Sequence, residues 1–140
     1  MADIRLRADE PVLDPAVTLD SLGEQSNATA VRLETGEDAR LLLPSLGRLA
    51  LIEIDFPAFG DGRGYSAARI LREEGYTGEL RAVGDFGVDQ LFELARCGFD
   101  AFAPASKLDA ADAENAFSLW DNVYQKTTDG RAPIWQKRHG

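Results

Sequence analysis

An alternation of apolar runs and helical stripes between residues 49 and 103 constrains the fold more than any other feature. Residues 49–56 (LALIEIDF) have the length and near-continuous apolar character of a buried strand. The strand-like runs are residues 49–56, 79–83 and 99–103. The segments between them, residues 65–74 and 88–97, carry apolar residues at helical spacing and are followed by glycine. This order predicts a mostly parallel sheet of βαβ units.

The flanking segments add weaker signals. Residues 30–34 and 39–43 flank Thr35-Gly36-Glu37-Asp38, which predicts an N-terminal hairpin. We expect a last helix over residues 109–124. The chain is therefore predicted to be α/β, as a small three-layer or half-barrel-like domain, and its strand order stays open.

Composition divides the chain into three parts. Residues 1–29 are polar and weakly patterned, which predicts a loosely structured arm or an edge strand that needs a partner. Residues 30–125 form the single α/β domain, and residues 126–140 form a polar tail. A chain of 140 residues is long enough for one self-sufficient core.

The net charge and the scarcity of cysteine and histidine exclude several classes of function. The net charge of −9 disfavours binding to nucleic acid, which needs concentrated Lys and Arg. Cys97 and His139 are the single cysteine and histidine, so a disulfide or a Cys/His zinc cluster within one chain is excluded. We expect Cys97 to lie in the core. Without a membrane-length apolar run, a signal peptide or a cofactor motif, the sequence predicts a cytoplasmic protein with no membrane contact, no metal and no cofactor.

The polar residues cluster at the joints between apolar segments. Asp55 lies near the end of the first predicted strand, and the DGRGYS segment at 61–66, Gly84–Asp85 and residues 104–107 each follow a predicted strand. Because parallel strands end at one sheet edge, these joints are expected to lie together. The candidate ligand-binding residues are Asp61, Gly62, Arg63, Gly64, Tyr65, Ser66 and Asp85.

DGRGYS combines glycine freedom, a helix start and a guanidinium, which suit phosphate, sulfate, sulfite or a carboxylate. It lacks the third glycine of a dinucleotide fingerprint and the lysine of a phosphate loop. The alternative is a tight turn in which Asp61 bonds backbone amides. Asp85 is also placed to cap the helix that follows it.

Strand alternation puts Glu53 and Asp55 on one sheet face, and Arg81 on the corresponding face of the next strand. If the two strands are neighbours in similar register, Glu53 and Arg81 pair. Such a pair is either a buried structural ion pair or the polar lining of a ligand cavity.

Residues 56–102, FPAFGDGRGYSAARILREEGYTGELRAVGDFGVDQLFELARCGFDAF, resemble the signature of a bacterial family of uncharacterised proteins. DGRGYS, GELRAVGD, DQL and ARCGFDAF occur in order, and the likeness extends to VYQ at 123–125. The family usually has a basic residue just before the Asp-Gln pair, whereas Phe86-Gly87-Val88 precede Asp89 here. Its genes commonly lie beside assimilatory sulfite reductase genes, and its members are often labelled probable oxidoreductases of sulfite reduction. The resemblance therefore implies a role in sulfur assimilation, with sulfite reductase subunits as partners.

Three functions remain open. The first is a non-enzymatic accessory protein that acts with sulfite reductase and binds a small oxyanion at residues 61–66. The second is a small enzyme that uses Asp61, Arg63 and Asp85, with Asp55 and Tyr65, on an oxyanion-bearing metabolite. The third is a homo-oligomer whose polar strand face and Trp135 build an interface.

Overall fold

Five strands follow one another in parallel, in chain order, across a single sheet. The computed structural model describes residues 4–10, 12–25, 27–34, 36–56 and 62–105. The strands are β1 (Ile4–Arg5), β2 (Val17–Thr18), β3 (Ala30–Leu33), β4 (Leu51–Phe56), β5 (Glu79–Gly84) and β6 (Ala101–Pro104). The helices are α1 (Leu19–Glu24), α2 (Gly62–Glu73) and α3 (Leu91–Cys97), with 3₁₀ helices at Ala39–Ser45 and Val88–Gln90. The strand order is β1-β6-β5-β4-β3-β2.

The sheet is parallel from β2 to β6, and β1 joins β6 antiparallel at the edge. The predicted α/β class and mostly parallel sheet are confirmed. Because neighbouring strands are consecutive in the chain, the arrangement resembles the half-barrel alternative. The edge-strand prediction for the N-terminal residues is confirmed at β1 and β2.

One sheet face and the helices share a single apolar core. Alternate residues of β4, Ile52, Ile54 and Phe56, belong to the same buried cluster as Leu71 of α2 and Leu94 of α3. Burying these side chains stabilises the fold because apolar area leaves water. Cys97 is buried in this core, as predicted.

The opposite sheet face carries a row of alternating charges, which we call the charged row. Its members are Arg32, Glu53, Arg81, Glu79 and Arg5. Glu53 and Arg81 lie directly opposite each other on β4 and β5, as the strand alternation predicts. Arg81 is 3 % exposed and Glu79 is 1 % exposed, so the ion pair between them lies in the interior.

Arg5 reaches the charged row across β6. Its partner in the β1–β6 register is Ala101, which is also the β6 partner of Arg81. Because the alanine side chain is small, the guanidinium of Arg5 extends over it and binds Oε1 of Glu79 at 2.8 Å.

The chain between β1 and β2 crosses the charged face, because those strands lie at opposite edges of the sheet. Arg5 donates to the carbonyl oxygens of Asp9 and Glu10, and Arg81 donates to that of Val12. Arg7 pairs with Asp100 at 2.8 Å, which holds the connection at the amino edge of β6. The described part of this connection therefore covers Arg5 and Arg81 of the charged row within one chain.

The hairpin predicted over residues 30–43 is wrong in its second arm. Residues Ala39–Ser45 form a 3₁₀ helix, and β3 pairs in parallel with β2 and β4. The Asp38 carboxylate accepts from the Arg40 amide at 3.0 Å and starts the helix. Ala39 and Leu42 are buried while Leu41 is 62 % exposed, which follows the three-residue period of a 3₁₀ helix. The helix predicted over 109–124 and the tail at 126–140 lie outside the described residues.

Candidate functional site

The carboxyl ends of β4, β5 and β6 meet at one edge of the sheet, as predicted. Phe56, Gly84 and Pro104 are in register across the three strands. The Asp85 amide donates to the Phe56 carbonyl at 2.7 Å, and the Ala105 amide donates to the Gly84 carbonyl at 2.6 Å. Gly84 has φ +119°, and a Cβ there would overlap the Phe56 carbonyl, so this crossing requires glycine. The edge is a place where α/β proteins bind ligands.

The residues of the DGRGYS segment that the structure describes do not act as one loop. They lie in the first turns of α2, which begins at Gly62, and they face different neighbours. Arg63 and Ser66 share a flank of the helix with Ala67 and Ile70, at spacings of three, four and seven residues. Gly64 and Tyr65 face the core side instead. The side chain of Asp61 lies outside the described residues.

The flank of α2 forms one wall of a surface groove, which we call the α2 groove. Its opposite wall is the turn at residues 36–39, and its volume is about 240 Å³. Arg63 approaches that turn closely, because its Nη1 lies 3.3 Å from where a Cβ on Gly36 would stand. Gly36 has φ +88°, a conformation that favours glycine. The guanidinium thus lies beside the turn that carries Glu37 and Asp38.

Two carboxylates, Glu37 and Asp38, stand on the turn side of the α2 groove. Oε1 of Glu37 accepts from the Glu34 amide at 2.7 Å, and Oδ1 of Asp38 accepts from the Arg40 amide at 3.0 Å. These backbone bonds fix the turn and the positions of both side chains. The groove therefore carries a guanidinium and a hydroxyl on one wall and two carboxylates on the other.

Gly64 is required for packing against the core. It is buried within α2, and a Cβ there would overlap the Phe56 ring. The same ring contacts Tyr65 edge to face, with centroids 5.6 Å apart. In the structure, this glycine allows close approach of α2 to β4.

Tyr65 is linked to the loop after β5 through Gln90. Nε2 of Gln90 donates to the Tyr65 hydroxyl at 3.3 Å, and Oε1 of Gln90 accepts from the Gly87 amide at 3.0 Å. Burial raises the pKa of the Tyr65 hydroxyl, so it stays protonated at neutral pH. Gln90 therefore joins the first turns of α2 to the segment that opens α3.

Asp85 does not cap that segment, so the predicted N-cap is wrong. The 3₁₀ turn ahead of α3 begins at Val88, with Gly87 as its N-cap. Asp85 is exposed at the end of β5, and its amide is used in the bond to Phe56. Among the described residues that line the α2 groove, Asp85 does not appear.

Of the predicted ligand residues, the structure places Arg63 and Ser66 together in one groove, and it places Gly64, Tyr65 and Asp85 elsewhere. Glu37 and Asp38 were missed because residues 35–38 were interpreted only as a turn. The signal that marks them is the position of Asp38, directly before an apolar run, where an N-cap is expected.

Within the part of the chain that the structure describes, no group of three or more His, Cys, Asp or Glu side chains is arranged to hold a metal ion. In the same ranges, every helix is too short or too polar to cross a membrane.

Comparison with known families gives a match over most of the chain. The model of a family described as "Bacterial protein of unknown function (DUF934)" matches residues 30–135. The chain belongs to this family. The DUF934 match includes β3 to β6 and both walls of the α2 groove, whereas β1, β2 and α1 precede it. No curated protein and no solved structure matches the chain.

Proposed function

We propose that this DUF934 protein is a non-catalytic accessory protein of sulfur assimilation, which acts with sulfite reductase and binds a small oxyanion-bearing molecule in the α2 groove. The observation that carries the proposal is that Arg63 and Ser66, both from the DGRGYS segment, open into the same groove. A guanidinium and a hydroxyl are suitable donors for an oxyanion or carboxylate.

The position of the groove also supports binding. It lies beside the first turns of α2, after the carboxyl end of β4, where parallel α/β sheets bind ligands. Its walls come from two separate elements, α2 and the turn at 36–39, so a ligand would be held between them.

The link to sulfite reductase rests on the sequence resemblance at residues 56–102. The family description itself assigns no function. The partner is therefore the part of the proposal that an association experiment must decide.

Ligand binding is tested by titrating the protein with sulfite, sulfate and phosphate and measuring heats of binding and melting temperature. We expect Arg63→Ala to abolish binding and Ser66→Ala to weaken it. Arg69→Ala is the matched control, because Arg69 is an exposed arginine of the same helix outside the set that lines the groove. Absence of any binding, or equal loss in Arg69→Ala, contradicts the anion site.

Partner binding is tested by co-purification of the tagged protein with sulfite reductase subunits. Association that survives in Arg69→Ala and falls in Arg63→Ala supports a contact at the groove. If the subunits never co-purify, the accessory role is rejected even if the groove binds anions.

The enzyme alternative requires Asp61, Arg63 and Asp85 to act on one substrate. Arg63 faces the turn at 36–39, whereas Asp85 follows β5 and Tyr65 contacts the β5–α3 side through Gln90. This separation across α2 gives the binding role more support than the enzyme. The enzymatic function stays a prediction. It would gain support if the protein showed turnover and Asp85→Asn abolished that turnover without unfolding the protein.

A further inference from the structure

The α2 groove carries opposite charges on its two walls. Arg63 and Ser66 stand on the helix wall, and Glu37 and Asp38 stand on the turn wall. On the turn wall, Nη1 of Arg40 lies 3.6 Å from Oδ1 of Asp38, and this exposed ion pair screens part of the negative charge that faces Arg63. A free anion would be attracted to Arg63 and repelled by the carboxylates opposite, so a ligand that also carries a positive group would bind more tightly than an anion alone.

We propose that the ligand of the α2 groove is a zwitterion of the α-amino acid class. This inference rests on the proposed binding function and specifies its ligand. The anionic group binds Arg63 and Ser66, and the ammonium group binds the carboxylates of Glu37 and Asp38. Each charge of the ligand then meets its opposite in the wall it faces, which favours the zwitterion over an anion or a cation alone.

The carboxylates are already placed for such a ligand. Glu37 is held by the Glu34 amide, and Asp38 is held by the Arg40 amide. Binding therefore costs little ordering of the turn wall, because its side chains are fixed by backbone bonds. Arg63 makes a further contact within the chain, and the ligand shares the guanidinium with that contact.

The lining between the charges selects a ligand with an apolar side chain. Ala39, Ala67 and Ile70 lie between or beside the polar groups. The volume of about 240 Å³ is below the roughly 300–1,000 Å³ of pockets for drug-sized ligands, so it limits the occupant to a smaller molecule. An amino acid with a short or unbranched apolar side chain satisfies both the charges and the apolar lining.

The test compares molecules that differ by one charged group. Isothermal titration at pH 7 uses L-methionine and L-alanine, then 4-(methylthio)butanoate, which lacks the ammonium, and 3-(methylthio)propylamine, which lacks the carboxylate. We expect L-methionine to bind and each analogue to bind about tenfold more weakly or worse, since each loses a charge-assisted contact.

Charge-neutral variants assign each contact. Glu37→Gln and Asp38→Asn keep an acceptor oxygen for the backbone amide and remove the negative charge. We expect each to weaken L-methionine binding while leaving the affinity for 4-(methylthio)butanoate unchanged or improved. Arg63→Ala is expected to remove binding of both, and Arg69→Ala to change neither. Circular dichroism and melting temperature confirm that each variant is folded.

The outcomes separate this inference from the proposed function. Sulfite binding that depends on Arg63, with no binding of either amino acid, overturns the zwitterion and leaves the anion site standing. Unchanged L-methionine binding in Glu37→Gln and Asp38→Asn also overturns it. If neither the anions nor the amino acids bind, both proposals fail.

Discussion

Arg81 donates from Nη1 to Oε2 of Glu53 at 2.8 Å, directly across the parallel strands β4 and β5. A second nitrogen of the same guanidinium binds Oε2 of Glu79 at 2.8 Å. Arg81 is therefore the central cation of the charged row, with a buried carboxylate on each side. The sequence left two interpretations of the Glu53–Arg81 pair, a buried structural ion pair or the polar lining of a ligand cavity. The described contacts favour the structural ion pair, because each carboxylate binds arginines of the same chain.

Replacing Arg81 with Met is expected to destabilise the fold by about 3–5 kcal/mol. The substitution keeps apolar bulk but leaves Glu53 and Glu79 buried without their shared cation, and removing one partner of a buried ion pair has a cost of this order. Urea unfolding followed by circular dichroism measures the change in free energy.

Arg96→Met is the matched control for that experiment. Arg96 pairs with Glu93 at 3.9 Å, and about half of each side chain is exposed to solvent. Loss of such a surface pair is expected to cost no more than about 1 kcal/mol. Equal effects of the two substitutions would show that the charged row does not contribute as a buried network.

Much of the central sheet was predictable because buried positions recur at regular intervals in the amino-acid sequence. The near-continuous apolar run that becomes β4 follows from burial on both faces of the sheet, and the stripes that become α2 and α3 follow from one buried face per helix. The Glu53–Arg81 pair followed from alternation alone, once neighbouring strands were assumed to be in similar register. Spacing within each strand was sufficient to predict this pair, because side chains alternate regularly between the two faces of a parallel sheet.

Other parts depended on contacts that spacing does not encode. Residues 39–43 were interpreted as a strand, although burial of Ala39 and Leu42 follows a 3₁₀ period fixed by the Asp38 cap. Arg5 and Glu79 are 74 residues apart in sequence, and they meet across β6 only because β1 pairs with β6 at the edge of the sheet. The carboxylate wall of the α2 groove was missed for the same reason, since it faces α2 only after the chain has folded.

Gly64→Ala is expected to destabilise the protein by about 1–3 kcal/mol, the usual range for forcing extra atoms into a packed core. The added Cβ would overlap the Phe56 ring, which also packs against Tyr65. An alanine inside an ordinary helix is instead favourable relative to glycine by about 1 kcal/mol. Gly23→Ala in α1 supplies that comparison, because a Cβ on Gly23 meets nothing within 4 Å.

Thermal unfolding of the two glycine variants should therefore shift in opposite directions. If Gly64→Ala is as stable as the wild type while oxyanion binding is lost, the glycine serves a ligand and not the packing of α2 on Phe56.

Acid should remove a stabilising contribution from Asp9. Hydrogen bonds from Arg7, together with Arg5, lower the pKa of the Asp9 carboxyl from 3.8 to about 2. Because the folded pKa is below the ordinary value, the contribution is fully present above about pH 5 and is lost as pH falls towards 2. Solvent screens this carboxylate, whose side chain is 54 % exposed, so the contribution is expected to stay below about 1 kcal/mol.

Urea unfolding at several pH values checks this for Asp9→Asn. The difference in unfolding free energy between wild type and variant should be constant near neutrality and shrink as pH approaches 2. Asp20→Asn, at an exposed position of α1, is the control. A difference that grows on acidification would reverse the expected sign.

Gln90→Ala should loosen the connection between α2 and the loop after β5. Gln90 binds the Gly87 amide through Oε1 and the Tyr65 hydroxyl through Nε2, so the substitution removes two bonds at once. The expected loss of stability is about 1–2 kcal/mol, since each neutral hydrogen bond contributes about 1 kcal/mol. Hydrogen exchange should report faster exchange of the Gly87 amide, because its acceptor is gone.

Asp89→Ala alters the exposed neighbour in the same turn and should leave that rate unchanged. Equal acceleration by both substitutions would mean that the turn opens independently of Gln90, and the proposed link between Tyr65 and Gly87 would be wrong.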